Sequence, residues 1–213
     1  MRQKVLFLLI LCFVTTFFKH AFAEATVRDV GSIDTFTSEN KRYSIDIKIL
    51  GYPDRSSSIC TPSICTFKKG DKILWSKEIP ATPGKVNISD NGKYIAMANW
   101  GWYDEGGYAG LSFYGKDGGL IGNIAIDKNK EHFKYIKKTA ISRDGKYYLI
   151  SELGRGSILS LYDVKLSKLL WTEEFDEKYS NNIDFKVLDS ADKITIKGFD
   201  GFKEKTIKTI KIK

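Results

Sequence analysis

A seven-residue phrase occurs twice in this chain. Ile88-Ser89-Asp90-Asn91-Gly92-Lys93-Tyr94 returns 53 residues later as Ile141-Ser142-Arg143-Asp144-Gly145-Lys146-Tyr147. Recurrence at a fixed period marks stacked copies of one supersecondary unit, none of which buries its apolar face alone. Each copy sets Asn-Gly or Asp-Gly between two apolar stretches, and those dipeptides supply the positive φ angles that a tight hairpin turn demands. The repeating unit is therefore expected to read strand, turn, strand.

The repeat extends beyond the phrase. Leu111-Ser112-Phe113-Tyr114 matches Leu159-Ser160-Leu161-Tyr162, and Gly119-Leu120-Ile121 matches Leu169-Leu170-Trp171 after a short polar turn. Four strands per unit, a to d, follow. The second unit places them at about 85–89, 94–99, 110–114 and 120–126, and the third at 138–142, 147–152, 157–162 and 168–175. A partial copy comes first, because Lys72-Ile73-Leu74-Trp75 echoes Lys168-Leu169-Leu170-Trp171 and Tyr43, Ile45, Ile47 and Ile49 alternate with polar residues. A weaker fourth unit reads as strands at 183–188, 193–198 and 206–212. The expected fold is all-β: an array of about four antiparallel meander sheets, with units near 24–79, 85–126, 138–175 and 182–213. Both a closed ring and an open half-ring suit four units.

These motifs resemble the WD40-like and quinoprotein-like β-propeller repeats. Ser142-Arg143-Asp144-Gly145-Lys146-Tyr147, Leu161-Tyr162-Asp163 and Leu169-Leu170-Trp171 follow the blade pattern closely, and the second unit follows it loosely. The resemblance spans residues 43–213, with clear motifs in two units. It implies a propeller-like fold and leaves function open, because propellers host enzymes, receptors and scaffolds.

Residues 1–23 read as a secretory signal peptide. Arg2 and Lys4 precede an apolar run from Val5 to Phe18, and Ala21-Phe22-Ala23 is a small-x-small cleavage site. A membrane anchor is the alternative, but the run is shorter than the roughly 20 residues a spanning helix needs. The mature domain would be 24–213, exported to the periplasm or secreted, with no stable membrane insertion. Loss of Arg2, Lys4 and Lys19 lowers the formal charge from +8 to +5. Export and the lack of a recognition motif exclude nucleic acid as the expected partner.

Two cysteines remain, Cys60 and Cys65. An even pair in an exported chain reads first as a disulfide, and so short a loop makes it a local clip. A redox pair is the alternative, but four intervening residues replace the two of thioredoxin-type motifs.

Catalytic chemistry is sparse. His132 is the only histidine after residue 23, which rules out multi-histidine metal sites. Asp127, Asn129 and Glu131 alternate as in a calcium loop, yet His132 replaces the required glycine and Lys138 the bidentate acid. Glu173, Glu174, Asp176 and Glu177 crowd one stretch, and Asp90, Asp117 and Asp144 fit turn chemistry. No metal or cofactor is expected, and no catalytic residue is assigned.

One segment exceeds the repeat. The offset between units is 53 at Gly92 but 48 at Leu111, so five extra residues lie between strands b and c of the second unit, within Trp100–Gly110. Insertions in repeat arrays gather on one face, often the binding face. Trp100, Trp102, Tyr103 and Tyr108 there, beside Lys134 and Lys137 of the following connection, suit a protein or anionic glycan partner. Packing of the aromatics back onto the domain is the alternative. The expected function is an exported binding or scaffold module acting through loops at one end of the sheets, with a homo-oligomer expected if the array is open. An enzyme with a cross-blade active site, hydrolytic in kind, is the alternative.

Overall fold

Tyr43, Ile45, Ile47 and Ile49 are buried while Ser44, Asp46 and Lys48 between them keep solvent access, the period-2 signature of a strand with one face packed. The computed structural model describes residues 31–51, 62–80, 82–99, 110–125, 135–153, 157–175, 186–190, 193–200 and 203–211. Among them are fifteen strands and no helix.

The first sheet is a meander of β1 (Ile33–Thr37), β2 (Tyr43–Ile49), β3 (Ser63–Lys69) and β4 (Lys72–Ile79). The second is β5 (Pro83–Ile88), β6 (Tyr94–Asn99), β7 (Gly110–Gly115) and β8 (Leu120–Ala125). The third is β9 (Tyr135–Ile141), β10 (Tyr147–Leu153), β11 (Ser157–Asp163) and β12 (Lys168–Phe175). The fourth has three strands, β13 (Lys186–Ser190), β14 (Lys193–Asp200) and β15 (Lys203–Lys211). Every pairing is between chain neighbours and antiparallel. The expectation of four antiparallel sheets is met.

Three apolar seams join successive sheets. Tyr43, Ile45, Ile47, Cys65 and Phe67 meet Val86, Ile88, Ile95, Met97 and Tyr114 in the first. Ala96, Ala98, Leu111 and Phe113 meet Ile136, Tyr148, Ile150 and Tyr162 in the second. Tyr147, Leu149 and Leu161 meet Val187, Ile194 and Ile196 in the third. Each fully buried side chain of this size contributes about 1.5–3 kcal/mol. The second and third sheets pack on both faces, so the consecutive residues Tyr147–Ile150 of β10 are all buried. The outer face of the first sheet is polar: Thr35 donates to Asp46, Lys68 pairs with Asp46, and the hydroxyls of Thr66 and Ser76 share a hydrogen bond of 2.9 Å.

Several boundaries differ from those expected. The first unit is a complete four-stranded sheet, with β1 and β3 added to the two segments anticipated. Strands β5 and β9 begin at Pro83 and Tyr135, ahead of the expected 85 and 138, because β-bulges carry the pairing past those points. In the fourth unit β15 spans Lys203–Lys211 against an expected start of 206, while residues 183–185 of the expected first strand lie outside the described residues. Residues 1–30, including the signal-peptide reading of 1–23, lie outside the described residues.

Candidate functional site

The two ends of the array are built differently. One end carries the a–b and c–d turns. In three successive a–b turns a buried serine receives the N–H of a tyrosine five residues on: Ser38 from Tyr43 at 3.1 Å, Ser89 from Tyr94 at 3.0 Å, and Ser142 from Tyr147 at 3.0 Å. The same hydroxyls donate to Asn40, Asn91 and Asp144 at 2.9, 2.8 and 2.8 Å. Those three side chains then accept the N–H of Arg42, Lys93 and Lys146. Each turn is thus an Asx cap closed on itself. Only the residue after the Asn or Asp has a positive φ: Lys41 at 57°, Gly92 at 64° and Gly145 at 81°. The expected a–b turns at Asn91-Gly92 and Asp144-Gly145 are present, with the positive φ supplied by the glycine alone because the side-chain cap lets the Asn or Asp keep an ordinary φ.

The turns also bond to one another across sheets. Asn40 donates its side-chain amide to Asp90 O at 2.8 Å and its N–H to the Asp90 carboxylate at 3.0 Å, while Asn91 donates to Asp144 O at 3.0 Å. Asp90 therefore ties two sheets together, and Asn91 performs the capping within its own turn. Farther out, Trp75 donates its indole N–H to Lys116 O at 3.1 Å, and Lys77 donates to Gly118 O with its ammonium 4.3 Å from the Tyr114 ring centroid.

The opposite end carries the longer connections. Asn99 pairs with Gly110 and Gly110 with Ala125, so β6, β7 and β8 all finish or start there. In the third sheet Leu153 pairs with both Tyr135 and Ser157, and Ser157 with Phe175. Segments 100–109 and 126–134 consequently connect strand ends at this one end of the array. Trp100, Trp102, Tyr103, Tyr108 and Lys134 lie outside the described residues; Lys137 is a residue of β9 whose side chain is also outside them.

Behind the loop end lies a carboxylate that sequence reasoning passed over. Glu152 is buried in β10, opposite Ile136 and Ile158. Its charge adds to burial in pushing the Tyr162 hydroxyl pKa upward, burial being the larger cause. Tyr148, fully buried in the same seam, is raised in the same direction by burial. Thr139 eases that shift but commits its own hydrogen to Asn87 at 2.5 Å, and the Tyr148 hydroxyl has no well-formed hydrogen bond. The signal for Glu152 was its position: a carboxylate in the strand Tyr147–Leu153, in register with Asn99 of the second unit. Sealed from solvent, it suits a structural or electrostatic role better than proton exchange with a substrate. Among the described residues no three potential metal-ligating side chains cluster.

Cys65 faces the first seam from β3, fully buried and with a free thiol, and burial pushes its pKa up to about 12. Its expected partner Cys60 lies outside the described residues.

No family model and no curated protein matches the chain. Solved structures do. The β-propeller domain of the Trilobed protease from Pyrococcus furiosus, with an open velcro topology, aligns at 10% identity and TM-score 0.51 over 88% of this chain and 59% of that one. Hydrazine synthase from Kuenenia stuttgartiensis aligns at 12% identity and TM-score 0.46 over 78% and 52%. Acylaminoacyl peptidase from Pyrococcus horikoshii aligns at 9% identity and TM-score 0.48 over 84% and 32%. This chain spans from about a third to three-fifths of these proteins. The four meander sheets and the first of these similarities define an all-β, propeller-like fold.

Proposed function

We propose that this protein is an exported binding or scaffold module, related to the WD40-like and quinoprotein-like repeat proteins, that recognises a protein or glycan partner through the loop end of its sheets. One observation carries the reading. The strand ends at Asn99, Gly110 and Ala125 are adjacent, so the five-residue excess between β6 and β7 and the lysine-bearing 126–134 connection share one end of the array. The turn end contrasts with it, being closed by repeated, mutually bonded Asx caps. Trp102, Tyr103 and Tyr108 supply aromatic anchors, with Lys134 and Lys137 as a basic rim.

The test is capture of partners from the native envelope by wild-type protein and by Trp102→Ala. Loss of a binding anchor weakens capture by about 2 kcal/mol or more while leaving the thermal transition in place. A variant that loses its thermal transition but, once folded, captures every partner normally makes the loop a structural plug and ends this reading. The enzyme alternative would have Glu152 as its buried carboxylate, and the sealing of that group from solvent counts against it. Hydrolytic turnover abolished by Glu152→Gln would favour it.

A further inference from the structure

Exposed aliphatic side chains are concentrated at one corner of each complete sheet. Of the seven exposed large hydrophobic residues among those described, five lie in or just after the c–d turns: Ile73, Leu120, Leu166, Leu169 and Leu170. Leu166 is 67% exposed, Ile73 58% and Leu120 53%. Scattered single exposed aliphatics are ordinary on any surface. Here the same position recurs: in register Ile73 faces Lys68, Leu120 faces Tyr114 and Leu169 faces Tyr162, each at the start of its sheet's outermost strand. Leu120 is therefore equivalent to Leu169 and not to Leu170 as the sequence match suggests.

Each corner also carries exposed lysine. Lys69 and Lys72 flank the turn before Ile73, Lys116 precedes Leu120, and Lys165 and Lys168 bracket Leu166. The acids of the second and third corners are engaged by backbone, Asp117 accepting the N–H of Gly119 at 3.0 Å and Asp163 that of Leu166 at 2.7 Å. The a–b turns at the same end add Lys41, Arg42, Lys93, Arg143 and Lys146, the last paired with Asp144 at 3.0 Å, against Glu39 and Asp90. Successive sheets hold these corners side by side. Trp75 of the first sheet bonds to Lys116 in the second sheet's turn, and the α-carbon of Gly122 in the second lies against Ser167 in the third sheet's turn.

We infer that the turn end is a peripheral docking surface for an anionic lipid bilayer, with Ile73, Leu120, Leu166 and Leu169 entering the headgroup layer and the surrounding lysines meeting its negative charge. Aliphatic tips alone suit many partners, and lysines alone suit any polyanion. The repeated pairing of the two is the chemistry of an interface that is negative at its surface and apolar just beneath. Short tips on a rigid sheet array reach only the boundary layer, so binding is reversible and falls with salt. The loop end, at the other extreme of the strands, then faces away from the membrane with its partner site accessible. This inference stands independently of that partner.

The experiment is co-sedimentation of the protein, as recovered from its producing cells, with phosphatidylglycerol/phosphatidylcholine vesicles and with phosphatidylcholine vesicles alone. Binding is expected on the anionic vesicles and to weaken in high salt. Leu166→Ser combined with Leu120→Ser, and separately Lys165→Gln combined with Lys168→Gln, should each reduce that binding about tenfold. Thermal transitions of both variants should match wild type, since the replaced side chains are exposed. Failure to bind anionic vesicles overturns the inference, as does binding unchanged by both pairs of substitutions. Loss of binding in the lysine variant but not the leucine variant, with equal affinity for soluble dextran sulfate, would reassign the face to a polyanion and overturn it too.

Discussion

The first a–b turn and the two that follow share the same serine-centred cap and differ in the residue that takes the positive φ. Lys41 holds a positive φ in the first turn, exposed to solvent; Gly92 and Gly145 hold it in the others, and both are buried. A Cβ on Gly145 would stand 2.6 Å from the Tyr94 ring and 2.8 Å from the Ser89 Cβ, and one on Gly92 would run into the Tyr43 ring. The tyrosine closing one turn therefore roofs the glycine of the next. Backbone angle alone does not demand glycine here, since Lys41 tolerates it at a cost of about 1 kcal/mol. The neighbouring sheet does, by occupying the space where a side chain would go.

The largest effect expected from testing this contrast is alkaline unfolding. The seams beneath the turns contain Cys65, Tyr114, Tyr148 and Tyr162, all with pKa values raised first by burial. Each holds its proton more tightly folded than unfolded, so as pH rises the unfolded chain deprotonates first. Stability should be level up to about pH 8 and then fall steadily, first as unfolded Cys65 deprotonates and then as the unfolded tyrosines do. Urea midpoints measured from pH 7 to 11 check this, and a flat profile would place these groups in water.

Gly145→Val comes next. It combines a β-branched residue at positive φ with collision against Tyr94 and Ser89, and should destabilise by about 3 kcal/mol in urea unfolding. A loss below about 1 kcal/mol would show that the roof gives way easily. A double-mutant cycle then isolates the roof: Gly145→Ala should cost about 1 kcal/mol less in a Tyr94→Ala background than in wild type, and additivity would break the proposed contact. The smallest effect belongs to the unroofed turn. Lys41→Gly removes backbone strain but frees the unfolded chain, so a net gain of about 0.5 kcal/mol is expected from thermal unfolding. Destabilisation there would mean that Lys41 makes contacts its exposure does not suggest.

The same contrast explains which parts of the fold were legible. The second and third units carry the phrase with glycine and were located strand by strand. The first unit carries the homologous Ser38-Glu39-Asn40-Lys41-Arg42-Tyr43, which forms an identical cap, but without glycine it did not register as a turn, and β1 and β3 were missed with it. Lys41 is exposed, so among the described residues nothing covers its turn or requires the glycine that makes the motif visible. The candidate site was legible only as an insertion. Glu152 went unremarked because a single acid in an apolar strand looks like an outward-facing residue until the second sheet is seen to cover it. The corner aliphatics look like ordinary strand residues in sequence for the converse reason: near the start of an outermost strand, they have no further strand of their sheet beside them.

From the sequence by itself came the strand-turn-strand unit, its four copies, and the surplus between β6 and β7, because alternation, turn chemistry and repeat length are local properties of a chain. Only the tertiary structure decided which faces are buried twice, which glycine is indispensable, and which aliphatic side chains stay in water. Those depend on the neighbouring sheet. A strand's period of two states which residues share a face, but what packs against that face is supplied by residues some fifty positions away.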